Sequence, residues 1–191
     1  MRRVTVVPVV LFAAGHAKRD IPDAVAVAAA RHAGLVWRQA EPLGLHPQLV
    51  ELSALRYDEA TAGRPVIADE DAMLIVVGRG SSDPEAAAAT RAFVELRATT
   101  RRTGRTVTAF TALCDPRLED VLREAAASPF RRIVVQPHLL FSGEIMDRLR
   151  RLTTEAAAAA PDREWLVTQH LGAHDLLIEA LASRIDETAN P

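Results

Sequence analysis

His16 is the residue whose neighbours best suit it to chemistry. It stands in AAGHAKRDIP (13–22), after an apolar run and before a proline that can begin a helix. A neutral imidazole there can hold a divalent metal or accept a proton near pH 7. Lys18 and Arg19 follow it, and two cations favour an anionic ligand. These residues alone describe a solvated surface loop equally well. The second candidate is VGRGSSDP (77–84). Gly78 and Gly80 permit a tight turn, and Arg79 can grip a carboxylate with two N–H groups. A helix opening at Asp83-Pro84 offers unpaired N–H groups to an anion. The stretch is neither a P-loop nor a dinucleotide fingerprint, and a plain glycine turn with a helix cap explains it too. His170 and His174 have the spacing of a helical metal pair, but Gly172 between them opposes helix. His46 and His174 each directly precede a predicted helix, which suits capping or packing. Cys114 is the only cysteine and reads as a structural thiol. It excludes a disulfide framework and any cysteine-rich metal site. No Gly-x-Ser-x-Gly elbow supports serine hydrolase chemistry.

These residues sit between strands and helices that alternate. MLIVV (73–77) is a continuous apolar run, as in a parallel strand covered on both faces. A helix over 85–100, a strand over 106–113 and a helix over 115–128 follow. RIVVQPHLLF (132–141), a helix over 144–159, EWLVTQHLG (164–172) and DLLIEALASRIDE (175–187) complete the series. The expected fold is α/β, a parallel sheet flanked by helices with right-handed crossovers. Ligands of such sheets gather at the carboxyl ends of the strands, where both candidate loops fall.

The chain also repeats itself. Residues 42–60 match 170–188 at nine of nineteen positions, among them Leu43/Leu171, Gly44/Gly172, Arg56/Arg184 and Glu59/Glu187. With one gap, 3–15 resembles 132–143, pairing Pro8 with Pro137 and Phe12 with Phe141. Met1-Arg2-Arg3 and the apolar stretch after it look like a secretory leader. Their twin lies mid-chain, so residues 3–12 are expected to form a buried strand. The first copy supplies only two strand–helix units. This divides the chain into a partial lobe (1–60), a linker (61–72) and a complete lobe (73–191).

Composition narrows the function classes. The chain has 191 residues, 49% apolar and 4% aromatic, so an aliphatic core is expected. A net charge of −2 carries no electrostatic footprint for nucleic acid or an anionic membrane. The N-terminal apolar run is much shorter than the ~20 residues that span a bilayer. A single cysteine suits a reducing cytoplasm.

LFAAGHAKRDIP (11–22), VGRGSSDP and HLLFSG (138–143) together resemble the CbiX-type sirohydrochlorin chelatases. These class II chelatases insert a divalent metal into a tetrapyrrole without ATP. The resemblance covers nearly the whole chain and implies a long two-lobe form lacking the first half of its first lobe. The family uses two histidines, one in a GHGS-like loop and one in the GH…DIP loop. His16 matches the second, and the first would lie in the absent segment. In the complete lobe Arg79 stands at one family histidine position and Glu144 at the other.

The resemblance implies a lyase-class chelatase of cobalamin or siroheme biosynthesis, acting on a sirohydrochlorin-type tetrapyrrole in the cytoplasm. Co²⁺, Fe²⁺ or Ni²⁺ is the metal substrate, and no organic cofactor, nucleic acid or membrane is involved. His16 is then the metal ligand and proton acceptor, with Glu144 assisting. Gly15, Lys18, Arg19, Arg79, Gly80, Ser81 and Arg148 contact the substrate. The alternative is a degenerate tetrapyrrole- or partner-binding module without activity, and Arg79 and Glu144 favour it. The half-lobe should leave a strand edge or apolar face open, so a homo-oligomer or completion by the missing half-lobe is expected.

Overall fold

A computed structural model describes residues 2–14 and 18–189. The first unit is β1 (Arg2–Val6), α1 (Asp20–Ala29), β2 (Leu35–Gln39) and α2 (Pro47–Thr61). The second is β3 (Ala72–Gly78), α3 (Pro84–Thr100), β4 (Arg105–Phe110), α4 (Leu118–Ala126), β5 (Arg132–Pro137), α5 (Glu144–Ala159), β6 (Glu164–Val167) and α6 (Asp175–Ala189). All strand pairs are parallel, β1 with β2 in one sheet and β4-β3-β5-β6 in the other. The expected α/β architecture of parallel sheets flanked by helices is present.

Strand period sorts the core. Successive side chains of β3 point to opposite faces. Met73, Ile75 and Val77 pack with Leu118, Val121 and Leu122 of α4 and Leu149 of α5. Leu74 and Val76 pack on the other face with Tyr57 of α2 and Val94 of α3. Every residue of β3 is buried, which is why AMLIVVG carries no polar alternation.

The expected strand over 3–12 is corrected. β1 ends at Val6, and its burial is low; Val4 is 44% exposed. Pro8 lacks the N–H that would extend the ladder. Among the described residues β1 has a strand neighbour on one edge only, and α1 contributes no buried residue. Val10 and Leu11 instead turn inward, and their carbonyls accept from the N–H groups of Leu43 and Gly44. The later strands also stop earlier than expected, at Phe110, Pro137 and Val167. The helix expected from Asp115 begins at Leu118, because Pro116 turns back and its carbonyl accepts from Phe110 N–H.

The repeat is visible in atoms. α2 and α6 are fifteen residues each and keep the spacing of the sequence match. Gly44 and Gly172, just before them, both hold positive φ, +58° and +69°. Leu171 and Gly172 donate to Leu139 and Leu140 as Leu43 and Gly44 donate to Val10 and Leu11. Arg56 of α2 donates to the carbonyl of Leu171 at 2.7 Å, and Arg184 of α6 donates to that of Leu43 at 3.0 Å. Each copy satisfies a carbonyl of the other. Among the described residues no helix is long and apolar enough to cross a membrane.

Candidate active site

Where β3 and β5 end, the chain opens a cleft of about 530 Å³. Its walls are the segment after β1, the loop 78–82 after β3 and the stretch 138–141 after β5, with Leu113 after β4. This is the location that a parallel sheet favours for ligands.

The loop after β3 is bonded along its length. Thr111 and Ala112 donate their N–H groups to the carbonyls of Gly78 and Arg79, and the Thr111 hydroxyl also donates to Arg79 at 2.9 Å. Gly80 lies at φ +88°, and a Cβ there would stand 1.7 Å from the carbonyl oxygen of Ala112. Ser81 N–H points at Cys114 Sγ (3.4 Å), and that thiol donates back to the Ser81 carbonyl (3.1 Å). The lone cysteine is thus a structural tie. Ser81 Oγ accepts from Asp83 N–H, and Asp83 caps α3 by accepting from Glu85 N–H at 3.0 Å. The other Asp83 oxygen receives Lys18 Nζ at 3.1 Å, which also meets Glu85 at 2.5 Å.

Gly80→Ala therefore forces a left-handed alanine into backbone that cannot retreat. We expect a loss of roughly 2 kcal/mol and a thermal midpoint about 5 °C lower. Thermal unfolding followed by circular dichroism checks this, and an unchanged midpoint would contradict the geometry.

His138, the first residue after β5, lines the floor of the cleft. It is 3% exposed, and its ring stacks on Phe93 with centroids 4.0 Å apart and meets Phe12 at 5.5 Å. Nε2 is buried without a hydrogen-bond partner. Burial alone pushes this imidazole down to about 3, so it is neutral across the physiological range. Nothing local in the sequence brings His138, Phe12 and Phe93 together. The available signal was a histidine inside the apolar run PHLLF, at the end of a predicted strand.

The CbiX family model matches residues 1–60 and 73–188. The chain belongs to the CbiX family. A sirohydrochlorin ferrochelatase of Priestia megaterium is 29% identical over 187 residues, covering 96% of this chain and 66% of its own length. The chain thus spans about two thirds of that relative. SirB from Bacillus subtilis, solved with Fe³⁺, superposes with a TM-score of 0.88 at 26% identity, over 98% of this chain and 72% of SirB. SirB from Bacillus subtilis subspecies spizizenii, solved with cobalt, gives a TM-score of 0.78 at 25% identity, over 99% and 70%.

In this CbiX-family chain the candidate residues are distributed unevenly. Arg79, Gly80 and Ser81 line the cleft. Arg79 is exposed and meets no carboxylate among the described residues. Lys18 lies beside the same loop but is already held by Asp83 and Glu85, so a substrate carboxylate would have to displace them. Arg19 is exposed at the start of α1. Arg148 is paired with Glu119 of α4 at 2.5 Å and does not line the cleft. Glu144 is exposed in the first turn of α5, also outside the lining. Gly15 and His16 lie outside the described residues. His174 accepts from Leu176 N–H through Nδ1 at 3.1 Å, the expected cap, and His46 is buried. Among the described residues no group of three His, Cys, Asp or Glu gathers that could hold a metal.

Proposed function

We propose that this chain takes part in ATP-independent insertion of a divalent metal into sirohydrochlorin, a lyase-class step of siroheme or cobalamin biosynthesis in the cytoplasm. The carrying observation is an apolar cleft at the strands' carboxyl ends, bordered by the exposed cation Arg79, in a chain that has the family's GHAKRDIP loop. A flat macrocycle rimmed with carboxylates matches such a cleft in both character and charge. Iron and cobalt are the metals named with the relatives, and nickel tolerates the same imidazole ligand.

Insertion requires the metal to shed water and two pyrrole N–H protons to leave. A neutral His16 would hold the incoming metal and accept a proton, with Glu144 assisting. Lys18, Arg19 and Arg79 would steer the carboxylates, with Gly15, Gly80 and Ser81 beside them; Arg148, tied to Glu119 outside the cleft lining, would have to leave that pair to join them. The test is the absorbance change of sirohydrochlorin on adding Co²⁺ or Fe²⁺, corrected for the uncatalysed rate. A rate above background supports the enzyme. Binding without acceleration supports the second reading, a tetrapyrrole- or partner-binding module, which Arg79 at a family histidine position favours.

We also propose that β1 is covered by a second copy or by a complementing half-lobe. Its repeat equivalent β5 pairs on both edges, with β3 and β6, whereas among the described residues β1 pairs only with β2. An open parallel edge beside exposed Val4 and Val36 invites another chain. Light scattering at high concentration is expected to give more than the monomer mass, and a sharp monomer would remove the second-copy form.

A further inference from the structure

We propose that Leu113 and Phe141 form the apolar rims of a slot that receives the flat face of the macrocycle, and that they favour an extended apolar ring over a compact hydrophilic anion. This rests on the sirohydrochlorin reading above and adds the residues that determine specificity.

Leu113 gains nothing for the fold. It is the only non-glycine residue at positive φ among the described residues, at +62°, and its side chain is 70% exposed. A left-handed leucine is strained, and strain persists only where the surroundings over-determine it. They do so here. Ala112 N–H is bound to Arg79, Cys114 N–H to Ala112, Cys114 Sγ to Ser81, and Arg117 donates to the Thr111 carbonyl. A glycine would meet the same backbone demand without strain. Leucine instead places a large apolar group at the cleft.

Phe141 repeats the pattern. It is 60% exposed and lines the same cleft. Strand order β4-β3-β5 puts Leu113 and Phe141 on either side of the loop after β3, which carries Arg79. Apolar group, exposed cation and apolar group in a row complement a conjugated ring with carboxylates at its rim. A compact hydrophilic anion would use only the cation. The complete lobe then contributes grip on the ring, and Arg79 repels a bare metal ion there.

Two substitutions separate this role from folding. Leu113→Gly is expected to leave the thermal midpoint unchanged or raise it, yet to weaken binding of metal-free sirohydrochlorin about tenfold in an absorbance titration. Phe141→Ala is expected to weaken it about tenfold also, and Phe141→Leu to recover part of that loss. Citrate, a compact hydrophilic polycarboxylate, should bind the parent and these variants equally. If the parent binds sirohydrochlorin and both truncations match it within twofold, the slot is wrong while the chelatase reading stands. Citrate losing as much affinity as the macrocycle would also overturn the selectivity. If the parent binds no sirohydrochlorin, both fall.

Discussion

His16→Ala is expected to lower sirohydrochlorin metallation about 10²–10⁴-fold, the usual cost of losing a positioned general base. On the roles proposed above His16 is the metal-binding histidine, and the proposed complete lobe carries Arg79 and Glu144 at the positions matched to histidine, so the repeat offers no second imidazole. His138 lines the cleft, but its Nε2 is sheltered from solvent. The control is His174→Ala. That ring accepts from Leu176 N–H as a helix cap, so its loss should cost about 1 kcal/mol of stability and leave metallation nearly intact. Initial rates with Co²⁺ or Fe²⁺ check both. A parent that clearly exceeds background, with His16→Ala as fast, would place the chemistry elsewhere.

Acid should destabilise the protein through His138, and His138→Leu should remove that sensitivity. The folded imidazole is held down to about 3 by burial, against about 6.5 in the unfolded chain. Above pH 6.5 neither state protonates it and the full stability is present. Below that, the unfolded chain binds a proton that the folded state refuses, so stability falls progressively until about pH 3. At pH 5 this amounts to about 2 kcal/mol from the one residue. Urea unfolding of parent and variant at pH 7.5, 6 and 5 measures it. His46 and His170, also pushed down by burial, act equally in both proteins and cancel in the difference. Parallel pH dependences for parent and variant would refute the assignment to His138.

The alternation of apolar runs and caps was enough to read the parallel sheet. Asp83-Pro84 marked the start of α3 correctly because its cap is local, a side chain bonding two residues on. Asp115-Pro116 looked alike and was not a cap, because Phe110 claims the Pro116 carbonyl from across the turn. Residues 7–12 read as strand because their composition is apolar. Their apolarity serves the contact between the two units, where Leu11 and Phe12 pack with Leu43, Phe93 and Leu171. The site was legible where a motif carried it, as at Gly78–Ser81. It was illegible where distance along the chain decides: His138 is interior only because Phe12 and Phe93 close on it. Leu113 left no trace in the sequence, since nothing in FTALCDP announces a left-handed leucine.

The crossed arginines have a mechanical consequence. Arg56 and Arg184 make an isologous contact, the kind found across a twofold axis between subunits, folded here into one chain. The carbonyls they hold belong to Leu43 and Leu171, both fully sheltered from water. Beside them, Gly44 and Gly172 grip Leu11 and Leu140, which line the cleft. Swinging one unit away would break both bonds at once, and a hydrogen bond from a charged donor is worth about 1.5–3 kcal/mol. Hinge motion is thereby opposed from both ends, which favours a cleft that selects its ligand by fit over one that closes around it.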